Sequence, residues 1–450
     1  MASAAKTPPP NESQTAPGVH PESLWSLRPR SDREAGDAIV SNFALHWFPA
    51  KVYKPSLDWS YSFWLGTVSA ALLLLLVVSG LPLLFLYVPS VERAYGSVKD
   101  IEWVVTFGSW IRSVHRLSAH LMVAAVFLHL VRVFLTGAYK NGAGRSQRRE
   151  WNWEIGVAML LLTLFLSFTG YLLPWDQLAY WAVTVGTNIA ASVPLVGPRM
   201  RELMIGGRTI EQATLIRFYV LHVILLPGLL GALFAYHMWR VRKDGGLARV
   251  DRAARLREKV AETPVPTKTY TLLGVARGTA PTIRAVSLEA RDLTVNAVPD
   301  LIRRAAIAVL GTFATISVLA SFIRSPLEEA ANALVTPNPA KAPWYFLWLQ
   351  EIVTDTTVTL GSFTINGAFL GGVILPGLML ALLTAWPWLD RSPAEAAGAW
   401  FHSSRRRQNA VFLVAVLVVV LLTVVGTVLR GPSWQLYWPW QAWPEIPSRI

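Results

Sequence analysis

The 450-residue sequence contains no cysteine. Disulfides, thiolate metal sites, Cys-ligated iron–sulfur clusters and thioether-attached haem are therefore excluded. Charge is scarce as well. Only 15% of residues are Asp, Glu, Lys or Arg, against roughly a quarter in an ordinary soluble domain. That argues against a soluble enzyme and against a disordered chain. The first 60 residues are polar, with a Pro8–Pro10 run, and hold no signal-peptide apolar core. No solenoid-type repeat is visible. What the chain has in abundance is apolar residues, at 53%, and tryptophan, at 20 residues. Tryptophan in that number suits a protein with two membrane interfaces to anchor.

Six runs lack Asp, Glu, Lys and Arg: Tyr61–Val88, Ile155–Leu173, Phe218–Trp239, Ala305–Ile323, Phe363–Leu389 and Ala410–Leu429. Each is long enough to cross a bilayer as a helix, for which ~20 residues suffice. A seventh apolar run, Ile111–Thr136, carries Arg112, Arg116, His120, His129 and Arg132. It is read as the second span, and its ionisable residues need an internal reason to exist. The expected fold class is an all-α integral membrane protein with seven transmembrane helices. A polar tail (1–60) precedes a four-helix bundle (61–243), a linker (244–304), a three-helix part (305–430) and an outer tail (431–450).

The net charge of +13 follows the topology. Of the 41 Lys and Arg residues, 28 lie in the N-terminal tail and the loops after spans two, four and six. The positive-inside rule then places the N-terminus in the cytoplasm, in a multi-pass protein of a bacterial inner membrane. The basic charge needs no nucleic-acid partner.

Five of the eight histidines fall in the second and fourth spans. His115 and His129 are 14 residues apart; His222 and His237 are 15 apart. Fourteen helical residues rise ~21 Å and fall about 40° short of four turns, whereas fifteen overshoot by about 60°. Each span thus presents two imidazoles on roughly one face. The two spans run in the same direction, so His115 can meet His222 near the outer side and His129 can meet His237 near the inner side. Each pair suits the axial positions of a haem; the alternative is four satisfied buried histidines. His120, about 140° around the helix from His115, is read as a non-ligand.

Glycines repeat the interval. Gly66 and Gly80 are 14 apart on the first span, Gly156 and Gly170 on the third, at the inner and outer depths of the histidines. Glycine lets a backbone approach a ligand closely, although it also serves ordinary membrane helix packing. Arg112 and Arg132 lie three residues from His115 and His129 on the same helix face. They are candidates for haem propionates, or for snorkelling to the interface. Arg116 is a weaker third.

Arg112, His115, His129, Arg132, Gly170 and His222 stand within stretches that resemble the cytochrome b family, the membrane core of quinol–cytochrome c oxidoreductases. The matching stretches are Trp110–Lys140 (WIRSVHRLSAHLMVAAVFLHLVRVFLTGAYK), Gly170–Ala190 (GYLLPWDQLAYWAVTVGTNIA) and Thr214–Pro227 (TLIRFYVLHVILLP). The resemblance covers about residues 60–430. The 15-residue interval and the seven spans are closer to the chloroplast and cyanobacterial type, with its two subunits fused here. The resemblance implies two non-covalent b-type haems, a quinol-oxidising pocket outside and a quinone pocket inside. It also implies a Rieske iron–sulfur protein and a c-type cytochrome as partners, in a homodimeric multi-subunit complex surrounded by lipid. Quinol would give one electron to the Rieske centre and one across the membrane. The proline-broken segment Trp175–Met204 is expected as short outer-surface helices roofing the quinol pocket.

The sequence departs from the family in two places. The family's Pro-Glu-Trp-Tyr motif reads Pro343-Trp344-Tyr345 after Ala342, with proline where the proton-accepting glutamate should stand. Trp344 and Tyr345 remain pocket candidates, a menaquinol substrate becomes plausible, and Glu351 is expected to take the quinol proton. The plant-type attachment cysteine is missing around Phe63–Gly66, so no covalent third haem is expected. Asp300, before the fifth span, is a candidate for the inner pocket, with Lys243 and Asp244 as weaker ones. The rival readings are a non-bifurcating dihaem conduit and a haem-free transporter.

Overall fold

In a computed structural model the chain is built mainly of helices. The structure describes residues 51–142, 147–244, 246–247, 294–442 and 444, with 31, 34–36, 39, 48 and 49 before them. Most of the expected tail and linker therefore lie outside the described residues. Among the described residues seven helices are long and apolar enough to cross a membrane: Leu65–Leu86, Gly108–Leu135, Arg149–Leu172, Gln212–Lys243, Ala297–Phe322, Gly367–Leu389 and Ser403–Leu429. They correspond to the seven expected spans in order.

The boundaries differ where local chemistry overrides hydropathy. The first span starts at Leu65 rather than Tyr61, because left-handed backbone at Phe63 and Trp64 separates it from the short turn Trp59–Ser62. The sixth starts at Gly367 rather than Phe363. Phe363–Ile365 instead pairs antiparallel with Val358–Leu360, around Gly361 at φ +62°. The alternating β-branched residues of these strands favour that hairpin, and Asn366 then caps the helix by accepting from Phe369 N–H. The fourth span begins earlier than its apolar run, at a capping box of Glu211 and Thr214. It ends in Arg240, Arg242 and Lys243, cations that suit a helix C-terminus.

The chain divides into two compact units. One comprises Met1–Leu57 and Leu256–Arg304, where strand Lys51–Tyr53 pairs with Thr294–Asn296 and Ile39, Ala297 and Val298 are buried together. The other comprises Asp58–Arg255 and Ala305–Ile450. Within it the four-span and three-span parts pack as one body. Leu72, Val114 and Met122 of the first two spans bury Ile316 and Ala320 of the fifth. Phe134 of the second stacks on Phe412 of the seventh at 3.8 Å, and Trp153 Nε1 donates to the Leu383 carbonyl of the sixth. Outward faces carry Leu74, Val78, Phe85 and Leu229, all exposed. In a bilayer such surface faces lipid tails and drives no further burial.

The connection after the third span forms helices Gln177–Ala191 and Gly197–Ile205. Asp176 caps the first, accepting from Ala179 N–H at 2.9 Å. The same segment is stitched to the loop after the fifth span. Gln177 N–H donates to Glu329, Ala331 N–H to Trp175, and Glu328 N–H to the Asp176 carboxylate. Burial raises the Asp176 carboxyl against those hydrogen bonds. Beyond the fifth span's loop, helix Trp344–Asp355 lies before the hairpin.

Candidate functional site

His115 and His222 stand opposite one another, their ring centroids 6.3 Å apart and their planes at 74°. Two imidazoles binding one metal from opposite sides, each through a nitrogen at ~2 Å, have centroids about 6 Å apart. The hydrogen bonds select the nitrogen. The Ser79 hydroxyl donates its one proton to the Leu75 carbonyl at 2.6 Å, so toward His115 it accepts, from Nδ1 at 3.0 Å. His222 Nδ1 donates to the Leu166 carbonyl at 3.1 Å. Both rings therefore carry their proton on Nδ1 and keep the Nε2 lone pair for a ligand-bound metal.

The fourth span solves its fifteen-residue interval locally. Leu221–Leu225 is a π-turn containing His222, and regular α-helix resumes at Leu226. A π-turn absorbs one extra residue. His222 and His237 are thus related as two positions fourteen residues apart on an unbroken α-helix, which is the relation of His115 to His129 on the second span. The 100° mismatch between the two intervals disappears.

Each glycine of the fourteen-residue set lies against one histidine. A Cβ on Gly66 would stand 3.2 Å from His129 Cε1, on Gly80 3.2 Å from His115 Cε1, on Gly170 2.4 Å from His222 Cε1, and on Gly156 3.9 Å from His237 Cε1. The first span thus receives the rings of the second, and the third those of the fourth. The glycines let each imidazole lie against a neighbouring backbone. Ser79 and Thr169 precede the outer glycines, and the Thr169 hydroxyl lies 3.4 Å from His222 Nδ1. Sequence reasoning missed these hydroxyls, although their placement directly before Gly80 and Gly170 was a signal.

His129 and His237 lie within electrostatic reach of one another. Beside them Arg132 is buried, its guanidinium 4.7 Å over the Tyr61 ring, and among the described residues its Nε and Nη2 have no hydrogen-bond partner. Buried donors left without acceptors are costly, and a carboxylate-bearing ligand would supply acceptors. Arg112 is placed differently. It donates to Glu102 at 2.8 Å and to the carbonyls of Ser325 and Pro326. The expected propionate role meets a guanidinium already committed to protein acceptors. Among the described residues no three His, Cys, Asp or Glu side chains cluster around a bare metal position. Two imidazoles offered to one position from opposite sides suit a metal whose remaining ligands come from a flat macrocycle.

Pro343 stands at the cap of helix Trp344–Asp355, where its missing N–H costs nothing. Trp344 Nε1 donates to His120 Nδ1 at 3.0 Å, and the Tyr345 ring lies 5.7 Å from the His120 ring, edge to face. Burial pushes the Tyr345 phenol up to about 12. His120, set aside in the sequence as a non-ligand, is thus in contact with both motif residues, Trp344 and Tyr345. Glu351 lies elsewhere. It is fully buried and accepts from Arg430 through Nε and Nη2, while Arg430 also bonds Asp355 at 3.1 Å. The oxygens of the expected proton acceptor are thus engaged by the Arg430 guanidinium. Asp300 is half-buried in the first turn of the fifth span. Asp244 pairs with Arg240 at 2.9 Å, and Lys243 lies over the Trp239 ring.

Comparison with known proteins agrees with this geometry. The family model described as Cytochrome b/b6/petB matches residues 51–245, and that described as Cytochrome b(C-terminal)/b6/petD matches residues 330–439. Cytochrome b6 of Synechococcus sp. (strain CC9311) is 40% identical over 198 residues, covering 44% of this chain and 87% of its own. Cytochrome b6 of Synechococcus sp. (strain RCC307) is 43% identical over 181 residues, covering 40% and 80%. A solved structure titled Hyperthermophilic respiratory Complex III superposes with a TM-score of 0.60 at 24% identity, over 82% of this chain and 84% of that one, which shows a shared fold. The chain is a multi-pass membrane protein that belongs to the cytochrome b/b6 family, with the family's N-terminal and C-terminal parts joined in one polypeptide.

Proposed function

We propose that this protein is the cytochrome b subunit of a quinol–cytochrome c oxidoreductase-like complex in a bacterial inner membrane, with its N-terminus in the cytoplasm. It would carry two non-covalent b-type haems, one between His115 and His222 and one between His129 and His237. The observation that carries this reading is the outer histidine pair, with matched spacing and both Nδ1 atoms tied so that Nε2 remains free. Haem bound there supplies reversible one-electron chemistry at its iron.

The chain's own residues do the rest. The glycines leave room for the imidazoles, Arg132 would offer donors to a propionate, and the apolar spans would keep water from the histidine Nε2 atoms. Trp344, Tyr345 and His120 form the outer quinol pocket, and Asp300 borders the inner one. Electrons leave quinol toward a Rieske iron–sulfur protein and c-type cytochrome on one branch and across the membrane on the other. The full assembly would be a homodimer of such multi-subunit units, with menaquinol as the substrate class.

The proline at the glutamate position favours one second reading, a dihaem conduit that does not bifurcate. The test is oxidant-induced reduction in the purified complex with the inner pocket blocked. Reduction of the b haems on adding oxidant supports the first reading; their failure to reduce, with quinol present and both haem spectra intact, supports the second.

A further inference from the structure

We propose that His120 takes the place of the missing glutamate, binding the quinol hydroxyl through Nδ1 and accepting its proton. The inference rests on the quinol-pocket reading above and adds to it the residue that does the proton work.

The second span carries two histidines in opposite tautomers. His115 donates from Nδ1 to Ser79, which leaves Nε2 free for metal. His120 does the reverse. The Trp344 indole N–H can only donate, so its 3.0 Å bond to His120 Nδ1 assigns that nitrogen the lone pair and puts the neutral ring's proton on Nε2. The nitrogen able to accept a proton is thus the one turned to the motif residues. An indole N–H and a quinol O–H are donors for the same lone pair. A quinol reaching Nδ1 displaces the Trp344 bond and finds a base at hydrogen-bond distance, the geometry general-base work requires.

The surroundings favour transfer onward. The groups that face His120 are Arg116, one turn toward the outer side on its own span, and the Tyr345 phenol on the pocket helix. Arg116 places a cation on the outer side of the ring. Tyr345 stays protonated at neutral pH and does not compete for the proton. The two remaining carboxylates of the pocket helix, Glu351 and Asp355, are both paired with Arg430.

Oxidation of one quinol to quinone breaks two O–H bonds and releases two electrons and two protons. The electrons pass to the two one-electron acceptors proposed above, the Rieske-type cluster and the outer haem. One proton leaves along the first branch. The other moves to His120 Nδ1, giving the imidazolium, which then returns to its neutral form by releasing a proton to the outer side.

The test uses the assembled complex and a short-chain naphthoquinol. His120→Gln should lower kcat about 10²-fold, within the usual range for loss of a general base. It should also remove the acid limb of the rate profile, with both haem spectra unchanged. His120→Glu should restore at least a tenth of the rate and move that limb to lower pH. Trp344→Phe removes the competing donor and should lower KM severalfold. Wild-type kcat and pH profile in His120→Gln would overturn the proposal, as would an unchanged or raised KM in Trp344→Phe if the glutamine variant fails to assemble. A wild-type complex that holds no b haem, or does not oxidise the quinol, would instead overturn the functional reading itself.

Discussion

Gly170 faces the His222 imidazole so closely that a Cβ on the glycine would stand 2.4 Å from Cε1, whereas the same atom on Gly156 would meet His237 at an ordinary 3.9 Å. Two glycines at one spacing thus carry different tolerances. The nearest atom to Gly170 belongs to a ring already held by the Leu166 carbonyl, so it has little freedom to move away.

Gly170→Ala should therefore displace His222 and lower outer-haem content by half or more, whereas Gly156→Ala should retain both haems. Pyridine haemochrome content per chain together with the low-temperature spectrum of each variant checks this. Equal loss from the two variants would mean that the glycines serve helix packing alone.

Ser79→Ala removes the hydroxyl that accepts from His115 Nδ1. Such outer partners of a metal ligand are worth roughly 10–100-fold in affinity or activity. The expected outcome is a lowered affinity for the outer haem and a shifted midpoint potential for that haem only. A redox titration resolving the two b components measures both, and a shift shared by the inner component would contradict the assignment.

Arg132 holds the only guanidinium among the haem candidates with two buried donor nitrogens unpartnered among the described residues. Arg132→Leu removes a positive charge beside the inner site, which favours the oxidised iron. The inner midpoint should fall while the outer one stays. The corresponding Arg112→Leu should act mainly on stability, since its guanidinium ties Glu102 to the Ser325–Pro326 turn.

Asp390, just beyond the sixth span, accepts from Tyr139, Arg405 and the Ser392 backbone and pairs with Lys140. Burial alone would raise its carboxyl, but the hydrogen bonds from Ser392 and Tyr139 and the Lys140 charge outweigh burial and hold it at about 2. A folded-state value below the unfolded one, about 3.9, gives stability that is present above pH 4. That stability is lost as pH falls toward 2. The apparent Tm in detergent should drop over that window, and Asp390→Asn should flatten the dependence there while lowering Tm at pH 7.

Much of the site was legible in the sequence because transmembrane spacing is a one-dimensional measure. The four histidines and four glycines carry their depth in their numbers. What was not legible depends on contacts between distant segments. The π-turn at Leu221–Leu225 removes a mismatch that ideal helical arithmetic leaves at 100°. Glu102 and Arg430 claim Arg112 and Glu351, from 10 and 79 residues away. His120 looked misplaced because angle was measured against the ligand face of its own helix, while its partner Trp344 lies 224 residues on. The span ends shifted for a similar reason: hydropathy does not register the left-handed pair Phe63–Trp64 or the hairpin before Gly367.

The central claim is that two haems are held by two specific histidine pairs. Its most direct test is an optical redox titration of the purified complex, made on wild type and on His222→Ala. The account predicts two b-type components of distinct midpoint in wild type and loss of the outer one alone in the variant. A wild-type protein without b haem, or a His222→Ala protein with both components intact, would contradict it.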